Sequence, residues 1–507
     1  MTDVLVIGAG HNGLVAGLQL ARAGRSVTIV ERNGQAGGLC AATALHPGYR
    51  IPGLLHDTGG LRRDVAAGLG LAFEGDASPV LAAHSEHRGV VLHADARASR
   101  DELEALGRGD GDAYVAWRGF LSRIRGFVCR VMDQPPPVLR PRSLSQAWRL
   151  ARTGLGLRRL GKADMLELMR VAPMSAADWF EESFGDPLLP AALAAPAVTG
   201  AFLGPREAGT AANVLLYECV RGAEVRGGPA ALIDALRKAF EAAGGRILLD
   251  AEVAGILVDG GAVRGVRLAD GSTQEAPRVL ATCDPKRALL DLLEPGWLPF
   301  PLEEQIACVR MRGTTAKVNL ALDAPLVFRG RAGERHARAV VADRVDDIER
   351  AFDAAKYRRS PEQPHLDVSV PSVGDPSLAP PGKDVVSILA HFAPYDREGG
   401  WDADARTRLG ESVIETLERV APGTRERIVA CEVLCPPDIE SRYGATGGHV
   451  AHGEHALDQL LFMRPTRALA HYATPIRGLY LGGSGSHPGG GVTGRPGMLA
   501  ARALLAG

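Results

Sequence analysis

The N-terminal segment carries the feature that most constrains the fold, a glycine-rich turn between a short apolar strand and a helix. The predicted strand Val4–Ile7 leads into three glycines with the spacing Gly-x-Gly-x-x-Gly, at Gly8, Gly10 and Gly13. An apolar helical pattern follows, and a second predicted strand, Val27–Val30, ends in Glu31. This order is typical of a βαβ unit that binds a dinucleotide.

The positions in this motif have distinct physical roles. Gly8 permits the tight turn, Gly10 lets the backbone approach a pyrophosphate, and Gly13 lets the helix pack closely on the strand. The phosphates then lie at a helix N-terminus, which favours negative charge. Glu31 can accept hydrogen bonds from ribose hydroxyls, and its carboxylate would repel a 2′-phosphate. The sequence therefore predicts FAD or NAD rather than NADP.

The stretch after Glu31 favours a flavin. Arg32 is followed by a second glycine pair, Gly37 and Gly38, which would let the chain pass close to a bound cofactor. The chain then runs through a loop-like stretch rich in Gly, Pro and His at residues 42–60. We interpret that stretch as a lid around a flavin, with an ordinary surface loop as the alternative.

The segment VIGAGHNGLVAGLQLARAGRSVTIVERNGQAGG resembles the FAD-binding start of phytoene dehydrogenase-like flavin oxidoreductases, a family of carotenoid desaturases, carotenoid ketolases and retinol saturase-like proteins. Residues 226–271 are similar to its middle FAD segment. Later blocks resemble the branch labelled pyridine nucleotide-disulphide oxidoreductase domain-containing, although the chain has no disulphide motif; they span residues 372–396, 447–465 and 474–497. The resemblance covers nearly the whole chain and is weakest from Asp76 to about Arg170.

The resemblance implies an α/β fold in which a Rossmann-like FAD-binding domain of the glutathione-reductase type is interleaved with an α+β substrate domain containing a mixed or antiparallel sheet. The FAD-binding domain is expected at residues 1–75, 220–300 and 440–507, and the substrate domain at 76–219 and 301–439. The expected FAD contacts are Gly8, Gly10, Gly13, Glu31, Arg32, Gly38, Leu39, the backbone of Val253, and Gly483. Ser484 and Ser486 stand where related flavoproteins often carry an acidic residue.

A second glycine-rich loop lies near the C-terminus, after the predicted strand Leu479–Leu481. Its Gly489, Gly491 and Gly494 repeat the Gly-x-Gly-x-x-Gly spacing, but the thirteen residues after Gly494 suffice for only one helix. We therefore expect this strand to join the sheet that begins at Val4, with its loop against the isoalloxazine end of FAD. The N–H groups of Gly491 and Val492 would stabilise negative charge on the reduced flavin. A flexible tail is the alternative.

Other predicted elements follow from local patterns. We predict a buried helix pair or loop at residues 187–205, and a helix at 405–420. Strands of a second sheet are expected at 314–322 and 384–392. Four short apolar runs predict a β-meander, at residues 246–249, 253–258, 263–268 and 278–282.

Histidines near the two glycine-rich regions are the candidate catalytic groups. His56, Asp57 and His487 flank loops expected to border the flavin, where they act as acid or base or serve as hydrogen-bonding wall residues. His449, His452 and His455 are three residues apart, but their glycine-rich surroundings disfavour a metal site. We expect no metal.

Composition disfavours nucleic acid as a partner and indicates a cellular location. Because 58 basic residues balance 59 acidic ones, no overall positive field exists to bind nucleic acid. The seven scattered cysteines form no CxxC pair, and the N-terminus lacks a signal-peptide pattern, which favours the cytoplasm.

Residues 140–162 carry seven basic residues and no acidic one. Leu144, Ala147, Trp148, Ala151 and Leu155 form one helical stripe, a pattern of helices that lie on an anionic membrane surface. Two interpretations stay open, a peripheral membrane contact and a solvated cap over the substrate domain.

Together these features predict an FAD-dependent oxidoreductase that desaturates a hydrophobic, polyene- or isoprenoid-like substrate by hydride transfer to flavin N5, with oxygen or a quinone as the electron acceptor. Two alternatives are a flavin oxidase or ketolase-type enzyme acting on another small molecule, and a non-catalytic flavin-binding regulatory protein.

Overall fold

The computed structural model describes residues 2–61, 63–73, 75 and 77–507. Its strands are β1 Val4–Ile7, β2 Val27–Val30, β3 Thr43–His46, β4 Tyr49–Ile51, β5 Val80–Ala83, β6 Val90–Leu92, β7 Arg246–Leu248, β8 Val253–Asp259, β9 Ala262–Leu268, β10 Thr273–Glu275, β11 Val279–Ala281, β12 Thr315–Leu322, β13 Arg338–Val341, β14 His365–Ser369, β15 Asp384–His391, β16 Ile428–Leu434 and β17 Leu479–Leu481.

The α-helices are α1 His11–Arg22, α2 Arg63–Gly68, α3 Ala96–Ala105, α4 Gly111–Met132, α5 Leu144–Arg158, α6 Lys162–Val171, α7 Ala176–Glu181, α8 Leu188–Val198, α9 Thr210–Val220, α10 Gly228–Ala242, α11 Phe300–Ala307, α12 Val345–Lys356, α13 Pro371–Gly374, α14 Ala403–Val420, α15 Pro436–Tyr443 and α16 Arg495–Ala506. None of the helices within the described residues combines the length and apolar character needed to cross a bilayer.

A five-stranded parallel sheet forms the first layer, in the order β17-β11-β1-β2-β7. The predicted strands Val4–Ile7, Val27–Val30 and Leu479–Leu481 are confirmed. β17 pairs with β11, which in turn pairs with β1, so the C-terminal strand joins the N-terminal sheet as predicted. Helices α1, α10 and α16 pack on one face of this sheet through a shared apolar core.

The predicted β-meander is wrong at its two ends. β7 pairs in parallel with β2, and β11 lies between β1 and β17, so both belong to the parallel sheet. Of the four predicted runs, only those at β8 and β9 pair with each other; with β10 they form an antiparallel sheet that packs on the other face of the parallel sheet. The runs were predicted as hairpin partners because they are neighbours in sequence. Parallel partners are distant in sequence, and tertiary packing determines which strands pair.

A seven-stranded mixed sheet forms the second large layer, in the order β16-β12-β15-β14-β13-β5-β6. All its pairings are antiparallel except that between β13 and β5. The two strands predicted for a second sheet are here, as β12 and β15. Helix α14 packs against this sheet and begins two residues earlier than predicted, because Asp402 caps it by accepting from the Ala405 N–H.

Helices α4, α7, α8 and α9 form a third apolar core beside the mixed sheet. Within residues 187–205, the predicted helix pair or loop, the chain forms one α-helix, α8, in which all residues except Pro196 are buried. A helix that is apolar all round must be covered on every side.

The two large sheets draw their strands from different segments of the chain. Strands of the parallel sheet come from residues 4–30, 246–281 and 479–481, within the three segments expected to form the FAD-binding domain. Strands of the mixed sheet come from 80–92 and 315–434, within the segments of the expected substrate domain. Asp76, where the first boundary was predicted, lies outside the described residues.

Candidate active site

The turn between β1 and α1 has no room for side chains at two of its glycines. Gly8 has a φ of +97°, and a Cβ there would lie 2.9 Å from Thr282 Oγ1. A Cβ on Gly13 would collide with the Gly8 carbonyl oxygen. In contrast, nothing lies within 4 Å of where a Cβ on Gly10 would stand. Gly10 therefore presents bare backbone to open space, as a pyrophosphate site requires.

The N-terminus of α1 is buried and uncapped. Gly10 is the N-cap, no side chain of the described residues caps the free N–H groups, and the first turn has no acidic residue. His11 and Asn12 are buried, and Asn12 Oδ1 lacks a hydrogen-bond partner among the described residues. A buried helix end needs partners for its N–H groups, and a phosphate provides them.

Glu31, at the end of β2, shapes the same turn. Its Oε2 accepts from the Ala9 N–H at 2.8 Å, and its Oε1 accepts from the Asn33 N–H at 3.0 Å. A carboxylate has about four acceptor positions, so two positions are left for ribose hydroxyls. Glu31 is thus placed to hold both the glycine turn and a sugar.

The remaining predicted contacts lie around this turn. The Ala251 N–H donates to the Glu31 carbonyl at 2.8 Å, which holds the start of β8 at Val253 near the ribose end. Arg32 donates to the Ser441 carbonyl at 2.5 Å. A Cβ on Gly38 would stand 3.4 Å from Gly10 Cα. The carbonyl of Leu39 accepts from the Leu54 N–H at 2.9 Å, which ties the glycine pair to the segment before His56.

The C-terminal glycine loop lies over the start of α1. Asn12 Nδ2 donates to Ser484 Oγ at 3.1 Å, so Ser484 binds the helix start. A Cβ on Gly483 would collide with the Thr282 carbonyl oxygen. A Cβ on Gly494 would stand 2.9 Å from Val15, and one on Gly497 would collide with the Asn12 carbonyl oxygen. These close approaches bring both glycine-rich segments to one place.

The Gly491–Val492 backbone belongs to the same place. Burial lowers the pKa of the His11 imidazole to about 4, while the nearby Gly491 backbone acts in the opposite direction, so the ring is neutral. Val492 is buried in the core shared by α1 and α16. The two glycine-rich segments therefore meet at the N-terminus of α1.

Arg464 supports the C-terminal loop from behind. Its fully buried guanidinium donates to backbone carbonyls only, those of Ala451, Gly453, Glu454, Gln459 and Ser484. Burial lowers its pKa to about 9, so it stays charged at neutral pH. A Cβ on Gly489 would lie 3.5 Å from its Nε. The guanidinium thus places positive charge beside the glycine loop, a feature that the sequence pattern did not reveal.

Two of the three spaced histidines accept hydrogen bonds from the backbone. His449 Nδ1 accepts from the N–H groups of Ala451 and Gly453, and His455 Nε2 accepts from the Gly490 N–H at 3.1 Å. Among the described residues, no group of three or more His, Cys, Asp or Glu side chains is arranged to hold a metal ion. His455 instead anchors the C-terminal glycine loop.

A cavity of about 520 Å³ borders this loop. The loop Gly489–Thr493 forms one wall, and helices α4, α8 and α9 and strands β13–β15 form the others. Most of the lining is apolar, including Leu193, Pro196, Leu216, Val340, Leu389 and Leu460. The cavity can therefore enclose an apolar molecule next to the cofactor site.

A charged cluster lines one part of the cavity. Arg338 Nη1 lies 2.9 Å from Asp57 Oδ2, its Nη2 lies 3.3 Å from Asp367 Oδ2, and the Tyr217 hydroxyl donates to Asp57 at 2.5 Å. Burial alone would raise the pKa of both carboxyls. Burial is outweighed by the Arg338 charge acting together with Arg221 and the Tyr217 hydroxyl at Asp57, and with His56 at Asp367, and both pKa values are held well below their usual range. Both carboxylates are therefore ionised.

His56 and Asp367 form a dyad in this cluster. His56 Nε2 lies 3.2 Å from Asp367 Oδ2, although neither ring nitrogen makes a well-aligned hydrogen bond to a described residue. Because a carboxylate can only accept, this contact assigns the ring proton to Nε2 and the lone pair to Nδ1. Burial lowers the pKa of His56, although Asp367 acts in the opposite direction. His56 is a neutral base at neutral pH.

Lys317, which the sequence pattern did not single out, lies behind this dyad. It stands within the fully buried strand β12 and donates from Nζ to the Leu54 carbonyl at 2.6 Å. Burial lowers its pKa to about 7. It fixes the backbone two residues before His56.

The structure separates His487 from the other two candidates. His56 and Asp57 line the cavity. Near the C-terminus, the described lining includes Pro488 but not His487. His487 Nε2 bonds to the Gln134 carbonyl at 3.0 Å, and burial lowers its pKa to about 4. Geometry thus gives His487 a supporting position. Asp57 is held by Arg338, Tyr217 and the Gly59 N–H.

Comparison with known proteins agrees with this geometry. Residues 13–505 match the family described as flavin containing amine oxidoreductase. The chain belongs to this family. It is 30% identical to pyridine nucleotide-disulfide oxidoreductase domain-containing protein 2 of Mus musculus, over 99% of this chain and 93% of the mouse protein.

Other relatives of this flavoprotein have more specific names. A limonene dehydrogenase subunit of Castellaniella defragrans is 27% identical, over 99% of this chain and 94% of that protein. A neurosporene-forming phytoene desaturase of Rhodobacter capsulatus is 26% identical, over 97% and 91%. The predicted resemblance to phytoene dehydrogenase-like oxidoreductases is confirmed.

Solved structures share the fold. An oxidoreductase from Methanosarcina mazei superposes with a TM-score of 0.61 at 18% identity, covering 100% of both chains. Wild-type putrescine oxidase bound to putrescine gives a TM-score of 0.59 at 15% identity, covering 100% of this chain and 99% of that one. The predicted α/β flavoprotein fold is therefore confirmed, and the family match confirms the flavin cofactor, FAD.

Replacement of Glu31 tests the ribose site. Glu31→Arg removes the acceptors for the Ala9 N–H and the ribose, and we expect the purified variant to be colourless. The measurement is flavin absorbance per chain after purification. Glu275→Arg makes the same charge change at an exposed glutamate and should keep full absorbance. Full absorbance in the Glu31 variant would contradict this assignment.

Proposed function

We propose that this FAD-dependent oxidoreductase desaturates a hydrophobic, polyene- or isoprenoid-like substrate. The observation that carries the proposal is the mainly apolar cavity, which is bordered by the C-terminal glycine loop and contains the neutral base His56. Removing two hydrogens as a hydride and a proton requires a hydride acceptor and a base. The cavity borders the expected flavin site, which would supply the acceptor, and His56, which would supply the base, lines the cavity.

The names of two relatives support this substrate class. One is called a phytoene desaturase and the other a limonene dehydrogenase subunit. Phytoene and limonene are isoprenoid hydrocarbons, and such molecules bind through apolar contact area rather than through hydrogen bonds. The lining by Leu193, Leu216 and Leu389 suits a ligand of this kind.

Bound FAD supplies the two-electron oxidant, which accepts a hydride. Gly8, Gly10, Gly13 and Glu31 would hold its pyrophosphate and ribose. On the other side of the site, the N–H groups of Gly491 and Val492, with the buried Arg464 charge behind their loop, would favour the anionic reduced cofactor.

The protein's own groups handle the proton. In this proposal the apolar walls exclude water and orient the substrate, and His56 Nδ1 takes the proton from the carbon next to the one that loses the hydride. Asp367 stabilises the resulting imidazolium through the 3.2 Å contact with Nε2. Arg338 keeps Asp367 ionised, and Lys317 fixes the loop that carries His56.

One observation favours a second candidate, a flavin oxidase acting on a small polar molecule. The cluster of Asp57, Arg338 and Asp367 places charge in the cavity wall, where a polar substrate group could be held. His56 would then remove a proton from nitrogen or oxygen instead of carbon, forming C=N or C=O.

Anaerobic reduction of the bound flavin tests the proposal against this alternative. We expect an acyclic isoprenoid hydrocarbon dispersed in detergent to bleach the flavin absorbance and to gain a C=C bond, detected by mass spectrometry. Bleaching by primary amines or alcohols, with hydrocarbons inert, would favour the oxidase. Flavin that no substrate of either class reduces would favour the non-catalytic regulator.

The pH dependence of flavin reduction tests His56. Its neutral form is the active one and its pKa is lowered from 6.5, so the rate should stay constant at and above pH 6.5 and fall only in more acidic solution. His56→Gln should slow reduction roughly a hundredfold or more and abolish the pH dependence. Stopped-flow flavin absorbance measures both.

Asp367→Asn provides the companion test. Removing the carboxylate removes an interaction that raises the pKa of His56, so the acidic fall in rate should move to lower pH, with a slower plateau. His487→Gln, outside the described cavity lining, should keep the wild-type pH profile. A wild-type profile in His56→Gln, or its loss only in His487→Gln, would contradict the assignment.

We further propose that oxygen or a quinone reoxidises the flavin. Both glycine loops are used by one dinucleotide site, which leaves no comparable motif for NAD. Chemically reduced protein is mixed with NAD or a soluble quinone under anaerobic conditions, and separately with oxygen. We expect the quinone and oxygen to reoxidise the flavin quickly and NAD not to. Fast reoxidation by NAD would contradict the single-site interpretation.

A further inference from the structure

Helix α5 exposes its apolar residues. It has no buried residue, and Leu144, Trp148 and Leu155 are 92%, 63% and 47% exposed. Six of the twelve large hydrophobic side chains that are exposed in the described chain lie between Leu139 and Met169. Such clustering within a short segment marks a contact surface rather than scattered surface residues.

The apolar stripe faces away from the protein. Leu144, Trp148 and Leu155 are spaced by four and seven residues, which puts them on one face of the helix. The opposite face carries the half-buried residues Gln146, Leu150, Thr153 and Leu157. Between the two faces, a Cβ on Gly156 would lie 3.4 Å from the ring of Phe127 in α4. A helix that caps a domain turns its apolar stripe inward, so the solvated-cap interpretation does not explain this orientation.

Basic side chains surround the stripe. Residues 134–163 contain no Asp or Glu, and none of the seven basic side chains from Arg140 to Lys162 forms an ion pair with a described residue. The guanidinium of Arg152 lies 5.5 Å from the centre of the Trp148 ring. Asp164, the next acidic residue, is already paired with Arg123.

We propose that residues 139–162, the basic amphipathic surface, bind an anionic lipid bilayer. The leucines and Trp148 enter the boundary between headgroups and acyl chains, while the arginines beside them reach lipid phosphates. A second copy of the chain is a poor occupant, because two surfaces of seven uncompensated positive charges repel each other. This interaction goes beyond the proposed reaction and does not depend on it.

The basic amphipathic surface lies next to a wall of the cavity. Helix α4, on which Gly156 packs, contributes Tyr114, Arg118 and Met132 to the cavity lining. A docked α5 would therefore hold the cavity close to the membrane surface, which suits a ligand that partitions into lipid.

Vesicle flotation with the full-length, FAD-loaded protein tests the proposal. We expect the protein to float with vesicles of phosphatidylcholine and phosphatidylglycerol, and far less with phosphatidylcholine alone. Binding should weaken as salt is raised, because the screening length falls from roughly 8 Å at physiological ionic strength to about 3 Å at 1 M. Equal binding to both vesicle types, or no binding to either, would overturn the proposal.

Two variants separate charge from apolar insertion. Arg149→Glu/Arg152→Glu/Arg159→Glu should lower the partition coefficient roughly a hundredfold, and Leu144→Ser/Trp148→Ser/Leu155→Ser should reduce binding even at low salt. Because α5 buries no side chain, both variants should keep full flavin absorbance.

A matched control makes the same charge change elsewhere. Arg264→Glu/Arg350→Glu/Arg359→Glu alters three exposed arginines outside the basic amphipathic surface and should bind vesicles like the wild type. An equal loss in this control would overturn the proposal, because net charge alone would then explain binding. Binding of wild type to an acidic polypeptide, but not to anionic vesicles, would also overturn it and indicate an acidic protein partner.

Discussion

The rest of the site depends on the close contact between the buried N-terminus of α1 and the C-terminal glycine loop. Asn12 donates to Ser484, and a side chain on Gly497 would collide with the Asn12 carbonyl oxygen. Segments from opposite ends of the chain thus share one helix N-terminus, whose free N–H groups attract a phosphate. Arg464 and His455 stabilise the second segment through backbone atoms. The cavity can border the cofactor site only because this contact holds.

In the cavity beside that contact, the apolar lining and the charged cluster have different functions. The cavity is mainly apolar, but Arg338 binds Asp57 and Asp367 and keeps both ionised within it. Buried charges without partners would be costly, and the mutual pairing offsets part of that cost. Asp367 can then support His56 as a neutral base. In the proposed reaction, this arrangement places a base at the wall of a mainly apolar cavity.

Sequence reasoning predicted the features that short-range rules determine. The glycine spacing, the acid at Glu31, and the strands at β1, β2 and β17 depend on a few adjacent residues. It did not find Arg338, Asp367 or Lys317, because they lie on separate strands that meet His56 only in the folded sheet. It also mistook β7 and β11 for meander strands, since their parallel partners are distant in sequence. The apolar stripe of α5 was visible, but its outward direction needed the packing of Gly156 on Phe127.

The most direct test of the central claim is hydrogen exchange measured by mass spectrometry on the apoprotein and on protein titrated with FAD. The shared site predicts saturation at one FAD per chain, with residues 8–14 and 482–494 gaining protection together. Protection of the N-terminal segment alone, or protection of residues 482–494 by NAD in FAD-saturated protein, would contradict the claim that the two glycine loops form one flavin site.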